Sequence, residues 1–164
     1  LIFKMLLQCQ EYYYQQRNNM DEFSLDTLKS YIEKNQTSLF YDYLIKHQLD
    51  TNINILSWCL LSIFSKSENE NHQYYNLFCL VVGLFKDVNK PINGRLPLEI
   101  AYSINNIKFY IHLLLNGADP QKKNSKYKST YEIIIKDENE KFLSYIMRYE
   151  QSLINEIQKR KGTH

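Results

Sequence analysis

The sequence predicts an all-α fold built from helical hairpins that repeat along the chain. Apolar residues recur at helical spacing through almost the whole sequence. One hairpin with its loops, residues 93–121, is restated with an offset of 33 residues. Four Gly and three Pro in 164 residues are too few for the many tight turns of a β-sandwich or barrel.

The first two segments predict three helices. Residues 1–20 form one amphipathic helix, interpreted as an N-terminal cap or as a partial earlier repeat. Residues 21–52 read as helix, turn, helix and loop, with Asp26 and Thr27 able to cap the first helix and Asn35 in the turn. We expect the second helix of this block to pack through Leu39, Phe40, Tyr43 and Leu44.

Residues 53–90 repeat this order with a polar insertion. Residues 65–72 stand where a tight turn is expected, and an apolar outer helix follows over residues 77–84. The inner helix of this block is expected to bury Ile55, Leu56, Cys59, Leu60 and Ile63.

Residues 91–121 hold the clearest hairpin. Pro97 fits a first helical turn, because the N–H that proline lacks would be unpaired there. Asn105 tolerates the left-handed backbone of a turn, and Gly117 fits the end of the second helix.

Residues 122–149 restate that hairpin, and residues 150–164 are predicted to form one more polar helix that caps the C-terminal end. The pairs at an offset of 33 are Pro97 and Thr130, Leu98 and Tyr131, Glu99 and Glu132, Ala101 and Ile134, Phe109 and Phe142, Tyr110 and Leu143, Leu113 and Ile146, and Leu114 and Met147.

The run LPLEIAY at residues 96–102, followed by Gly-Ala-Asp at residues 117–119, resembles the ankyrin repeat pattern TPLHxAA, turn, VVxLLLxxGAD. The resemblance covers about residues 21–149 and implies a solenoid of about four repeats with terminal capping helices. Leu96 and Glu99 replace the Thr and His of the family. We therefore expect divergent repeats held mainly by apolar stacking.

The resemblance implies noncatalytic binding of a protein partner through the concave face and the finger loops. The expected contact residues lie in the finger loops between hairpins, or at positions of the inner helices that the apolar core pattern does not require. They are Asn93, Arg95, Ile100, Ser103, Asn124, Lys126, Lys128, Ile133 and Lys136. Tyr74, Tyr75 and Tyr127 are further interface candidates, since they are expected in loops.

The uneven distribution of charge is consistent with an acidic partner and equally with a mixed, solvated surface. Residues 83–164 carry 14 basic and nine acidic side chains, against six and nine in residues 1–82. Lys122, Lys123, Lys126 and Lys128 concentrate this charge in one loop, 122–128. One alternative is a structural subunit of a large assembly, docked by its terminal helices. A third is binding of an acidic ligand or nucleic acid by the basic loop, less favoured because no matching basic stripe accompanies it.

The motifs of catalysis and metal binding are absent from the sequence. It contains no H-x-x-x-H, C-x-x-C, G-x-S-x-G or P-loop, so we expect no enzyme, cofactor, metal or small-molecule substrate. His112 is interpreted as a packed helix histidine, and Glu99 and Glu132 as carboxylates that start helices.

The cysteines and the apolar runs bear on the compartment. Three cysteines without a close pair favour a reducing compartment, intracellular and cytoplasmic. The longest apolar run has nine residues, too short to cross a bilayer, and we expect no signal peptide.

Overall fold

The computed structural model describes residues 1–15 and 23–162, and within them it is all-helical, as predicted. The predicted end of the first helix, near residue 17, lies outside the described residues. The helices are α1 (Ile2–Gln15), α2 (Leu25–Glu33), α3 (Thr37–Lys46), α4 (Ile53–Ser65), α5 (Tyr75–Leu84), α6 (Pro97–Ser103), α7 (Ile107–Leu115), α8 (Thr130–Lys136) and α9 (Glu140–Gly162).

The helices pack as consecutive hairpins. Helix α2 contacts α3, α4 contacts α5, α6 contacts α7, and α8 contacts α9. Contacts between hairpins join α2 to α4 and α6 to α8 on one side, and α5 to α7 and α7 to α9 on the other. Helix α1 departs from this order, because its main packing partner is α4 rather than its sequence neighbour.

Aromatic rings join consecutive hairpins through the core. The rings of Phe78 on α5 and Phe109 on α7 are stacked, with centroids 3.8 Å apart and planes 3° apart. Tyr110 on α7 meets Phe142 on α9 edge to face at 5.1 Å. Each such pair adds about 0.5–1.5 kcal/mol beyond the burial of its area. Apolar contact therefore stabilises the packing of one hairpin on the next.

Three of the hairpin turns use the same local device. One residue in each turn has a left-handed backbone: Asn35 (φ 52°), Asn105 (φ 56°) and Glu138 (φ 53°). The prediction for Asn105 is thus confirmed. In the last two hairpins the next residue is an asparagine that caps the second helix. Asn106 Oδ1 accepts from Phe109 N at 3.1 Å, and Asn139 Oδ1 accepts from Phe142 N at 3.2 Å.

The polar insertion after α4 is fixed to the next hairpin. Asn69 N donates to the Ile104 carbonyl at 2.9 Å. The side-chain amide of Asn106, which is fully buried, donates to the carbonyls of Ser67 at 2.8 Å and Asn71 at 3.0 Å. One asparagine therefore both starts α7 and holds the insertion in place.

Three local predictions were wrong. The residue that caps α2 is Ser24, whose hydroxyl accepts from Thr27 N at 3.3 Å, rather than Asp26 or Thr27. Leu39 and Met147 are 48% and 67% exposed, although both were expected on core faces. Each of these two side chains lies one position outside the stripe that its helix buries.

The C-terminal tail continues the preceding helix instead of forming one of its own. Helix α9 has 23 residues and runs unbroken across the boundary predicted at residue 150. Its length is roughly 35 Å at the α-helical rise. No helix in the described part of the chain combines the length and the apolar character that crossing a membrane requires.

Candidate interaction surface

An open groove of about 370 Å³ lies between α6 and α8. It is lined by Arg95, Glu99, Tyr102, Ser103, Asn105, Ile133, Asp137 and Asn139. We call it the open groove. Seven of its eight lining residues are polar or charged, so the open groove offers several hydrogen-bonding groups to a ligand.

A charged network forms one end of the open groove. Arg95 Nε donates to Glu99 Oε1 at 3.3 Å, and the side chains are only 20% and 12% exposed. The other carboxylate oxygen, Glu99 Oε2, accepts from the Asn124 amide at 3.1 Å. Both carboxylate oxygens are therefore occupied by donors. This arrangement holds the Arg95 side chain against Glu99 at the end of the open groove.

Tyr102 and Asp137 connect the two helices across the open groove. The Tyr102 hydroxyl donates to Asp137 Oδ2 at 2.8 Å. Burial, together with the bond to Asp137 and the charge of its carboxylate, raises the pKa of Tyr102 to about 12. The phenol therefore remains a donor to Asp137 throughout the neutral range.

The finger loop, residues 122–128, is pre-organised by one buried side chain. Asn124, 8% exposed, accepts at Oδ1 from the backbone N–H groups of Lys126 at 2.9 Å and Lys128 at 3.0 Å. Its own N–H donates to the Lys128 carbonyl at 2.8 Å. The loop presents Tyr127 with a left-handed backbone (φ 57°) and a ring that is 85% exposed. An exposed tyrosine on a loop whose backbone is fixed in this way is well suited to a protein interface.

A second tight loop supports the finger loop. Asn93 (φ 48°) and Gly94 (φ 84°) form a two-residue turn between Ile92 and Arg95, which pair as a β-bridge. The Gly94 carbonyl accepts from Ser125 N at 3.2 Å. A Cβ on Gly94 would come within 3.3 Å of the Ser125 hydroxyl, so glycine allows both the turn and the close approach.

The basic cluster is partly neutralised. The ammonium of Lys123 bonds directly to Glu132. That hydrogen bond, then the bond from Ser129 N and the charge of the lysine, lowers the pKa of the Glu132 carboxyl. Lys122, Lys126 and Lys128 have no ion-pair partner among the described residues. The positive charge available to a partner is therefore smaller than the sequence suggested.

Seven of the nine predicted contact residues are at the surface, and three of these meet in one place. Arg95, Ser103 and Ile133 line the open groove. The other four are exposed in the two loops or at the end of α8, and they are Asn93, Lys126, Lys128 and Lys136.

Two predicted contacts are corrected. Ile100 is fully buried, because α7 and α8 both pack on the short helix α6 and its apolar band is wider than one stripe. Asn124 is buried as well, and it holds the finger loop in shape. Of the three tyrosines expected in loops, only Tyr127 is exposed. Tyr74 is 8% exposed and donates to the Glu33 carbonyl, and Tyr75 begins α5.

A second surface, covered by α1, was missed at the sequence level. Helix α1 lies along α4 and leaves a cavity of about 260 Å³ beside Trp58 and Ser62. A signal for it exists in the sequence, because α4 is apolar around almost its whole circumference. A helix of this kind is covered on all sides in a folded protein.

Cys79 and His112 face each other across α5 and α7, with Sγ and Nδ1 3.6 Å apart. Burial raises the pKa of the thiol and lowers the pKa of the imidazole, which favours a neutral pair. The Asn116 amide donates to the His112 carbonyl at 2.8 Å and lies 3.1 Å from Nε2. The Sγ and Nδ1 atoms are within reach of a weak hydrogen bond, and the tautomer of the ring decides which of the two donates.

The two helix-starting carboxylates occupy stabilising positions. Glu132 completes a capping box with Ser129, and Glu99 lies in the first turn of α6. Within residues 1–15 and 23–162, no group of three or more His, Cys, Asp or Glu side chains is placed to hold a metal ion.

Comparison of the chain with protein-family models, with curated proteins and with solved structures gave no match. In the part of the chain that the structure describes, the molecule is all-helical, its helices pack as consecutive hairpins, and one open groove has a mainly polar lining.

Proposed function

We propose that the chain is a divergent ankyrin-like repeat protein that binds a protein partner, without catalysis, through the open groove and the finger loop. The single observation that carries this proposal is that three residues predicted from the repeat pattern lie together. Arg95, Ser103 and Ile133 belong to three separate segments, and all three line the open groove.

Repetition of local structure supports the ankyrin-like part of the proposal. Helices α6 and α8 each have seven residues and begin 33 positions apart. Their turns use Asn105 and Glu138, also 33 positions apart, and the next asparagines cap α7 and α9 in the same way. A β-bridged loop precedes each of the two hairpins, as fingers do in that family.

The chemistry of the surface supports a protein ligand. The groove offers fixed polar groups from Arg95 and Asp137. The finger loop, whose Asn124 bonds to Glu99 in the groove, carries the exposed Tyr127 between two lysines. Tyrosine and arginine are among the residues that dominate binding energy in protein interfaces, and Tyr127 and Arg95 supply one of each. Three unpaired lysines in the finger loop favour an acidic segment of the partner.

The test is affinity purification from an extract of the source cells with three baits: the wild-type chain, Lys126→Glu/Lys128→Glu, and Ile133→Asp. A partner of the open groove should be recovered by the wild-type chain and lost with both variants. Lys34→Glu/Lys46→Glu is the charge-matched control, since both lysines are exposed on another part of the molecule. It should retain the partner.

Equal recovery by all four baits would contradict the proposal. Thermal unfolding followed by circular dichroism should give similar midpoints for every bait, which separates lost binding from lost fold. Binding of any oligonucleotide with a steep salt dependence, without a protein partner, would instead favour nucleic acid.

A further inference from the structure

Asp137 carries the unpaired charge in the lining of the open groove. Three lining side chains are charged, and two of them, Arg95 and Glu99, form an ion pair. Asp137 is exposed and has no ion-pair partner among the described residues. The Tyr102 hydroxyl donates to its Oδ2 at 2.8 Å and holds the carboxylate in place without cancelling its charge, because a phenol is neutral. The lining therefore has a net charge of −1, from one cation and two anions.

The turn after α8 has acidic residues where local structure does not favour them. Residues 136–140 carry one basic and three acidic side chains. Asp137 is at the C-terminal end of α8, where a negative charge opposes the helix dipole. Glu138 has a left-handed backbone (φ 53°), which suits Asn or Gly better. The equivalent residues of the preceding hairpin, 33 positions earlier, are Ile104 and Asn105. Helix stability and turn geometry therefore do not explain the two carboxylates.

The finger loop has the opposite charge and is bonded to the other end of the open groove. The amide of Asn124 donates to Glu99 Oε2 at 3.1 Å, and its Oδ1 accepts from the backbone of Lys126 and Lys128. The side chains of these two lysines are exposed and have no ion-pair partner in the part of the chain that the structure describes. Two free cations therefore lie on the loop that contacts Glu99.

These charges lie at opposite ends of the paired helices α6 and α8. Glu99, in the first turn of α6, bonds to the loop before α8, and Tyr102, in the last turn of α6, bonds to Asp137 after α8. The two helices therefore run in the same direction. Each has seven residues, so roughly 10 Å separates their two ends at the α-helical rise. An extended chain covers this distance with about three to four residues.

We propose that the open groove takes an extended segment of its protein partner that carries a basic side chain for Asp137 and, about three to four residues away, an acidic side chain for the lysines of the finger loop. The proposal rests on the function proposed for the groove and adds a basic residue to the chemistry of the partner. Tyr102 occupies Oδ2 of the carboxylate, which leaves Oδ1 to accept from an Arg or Lys. Opposite charges at the two ends also set the direction in which the segment lies.

Panning of a random linear-peptide display library measures what the open groove selects. The wild-type chain, Asp137→Asn, Lys126→Glu/Lys128→Glu and Asp42→Asn are immobilised and panned in parallel. Asp137→Asn removes the charge and keeps an oxygen that can accept from Tyr102. Asp42→Asn is the matched control, because Asp42 is exposed on α3 and does not line the groove.

The wild-type chain should enrich peptides with one acidic and one basic residue at the proposed spacing, and Asp42→Asn should enrich the same peptides. The Asp137→Asn pool should lose the basic residue and keep the acidic one, and the finger-loop variant should do the reverse. In a labelled wild-type-selected peptide, replacing the basic residue by Gln should weaken binding to the wild-type chain about fivefold. The same replacement should weaken binding to Asp137→Asn by less than about twofold, as measured by fluorescence anisotropy.

Stability distinguishes this role of Asp137 from a structural one. The thermal unfolding midpoint of Asp137→Asn should equal or exceed that of the wild-type chain, because a carboxylate that opposes the helix dipole is removed. Enriched peptides that lack a basic residue, or a basic preference that persists in Asp137→Asn, would overturn this inference and leave the function proposed for the groove intact. If the wild-type chain enriches no peptide, or Ile133→Asp enriches the same peptides, that function fails as well.

Discussion

The two sides of the molecule that carry candidate surfaces differ in the chemistry of their first helices. Helix α4 presents Trp58 and Ser62 to α1 and is buried almost throughout. Helix α6 presents Glu99, Tyr102 and Ser103 to the open groove, and no helix of the described chain lies over them. The same hairpin layout therefore supports a covered apolar surface at one place and an open polar surface at the other.

The difference is reasonable in energetic terms. An apolar face gains stability when any amphipathic helix covers it, so α4 is satisfied by a segment of its own chain. A polar face gains little from such cover, because its groups already bond to one another or to water. The pairs Arg95–Glu99 and Tyr102–Asp137 satisfy the open groove without a ligand. The partner proposed for the open groove would then be selected by geometry and charge rather than by burial alone.

The largest effect is expected on the covered side. Trp58→Ala should lower the free energy of unfolding by about 3–5 kcal/mol, because it removes a large buried side chain beside an existing cavity. Urea unfolding followed by circular dichroism measures the loss. Lys4→Ala, at an exposed position of α1 that does not line this cavity, is the control and should stay within about 0.5 kcal/mol of the wild-type chain. A loss in Lys4→Ala as large as that in Trp58→Ala would contradict the assignment of this stability to the buried tryptophan.

The next effect is expected at the finger loop. Asn124→Ala should cost about 2 kcal/mol, since three hydrogen bonds of a buried amide are lost at once. Hydrogen exchange should also become faster at the amides of Lys126 and Lys128. Lys126→Ala is the matched control because its side chain is exposed, and it should leave both stability and exchange at Asn124 unchanged. Slow exchange that persists in Asn124→Ala would mean that other contacts order the loop.

A smaller effect is expected across the open groove. Tyr102→Phe should cost about 0.5–1 kcal/mol at pH 7 by removing the bond to Asp137. The folded-state pKa of Tyr102, about 12, lies above the ordinary value of 10.0, so the stability it contributes is present below pH 10 and is lost as the pH rises toward 12. The difference between wild type and variant, measured by urea unfolding, should therefore shrink from pH 9 to pH 11. A difference in free energy of unfolding that stays constant with pH would show that the bond from the Tyr102 hydroxyl to Asp137 does not contribute to stability.

The smallest effect is expected at His112, away from both surfaces. Burial holds its pKa below the ordinary value of 6.5, so the unfolded chain takes up a proton at a higher pH than the folded chain. Stability should decrease as the pH falls below about 6.5 and then level off under the folded-state pKa. Thermal midpoints from pH 8 to pH 5 should show a smaller decrease in His112→Asn than in the wild type. Parallel curves would exclude His112 as the source.

Local features were predictable because they depend on a few neighbouring residues. Pro97 starts α6, Asn105 adopts the left-handed turn, and Gly117 follows the end of α7 with φ 92°. Each of these follows from the backbone preferences of one residue type. The cap of α2 was misassigned because Ser24, Asp26 and Thr27 are all able to cap, and only the actual start of the helix selects one.

The candidate site was predictable in part. A repeat pattern identifies which inner-helix positions are not needed for one core stripe, and that placed Arg95, Ser103 and Ile133 together. The pattern failed at Ile100 because a short helix packed on two sides buries a second stripe. It failed at Asn124 because the sequence does not show whether the amide of a loop asparagine bonds to a ligand or to the backbone of its own loop.

The sequence by itself determined that the chain is helical, where its hairpins lie, and that α4 is apolar around almost its whole circumference. These properties reside in the order of apolar and polar residues and in single-residue backbone preferences. Only the tertiary structure decided that α1 covers α4 and leaves α6 and α8 open. Hydrophobic burial is not directional, so an apolar face specifies that it must be covered without specifying by which segment. The contact between Asn93 and Met5, separated by 88 positions, is one of the long-range pairings that make that choice.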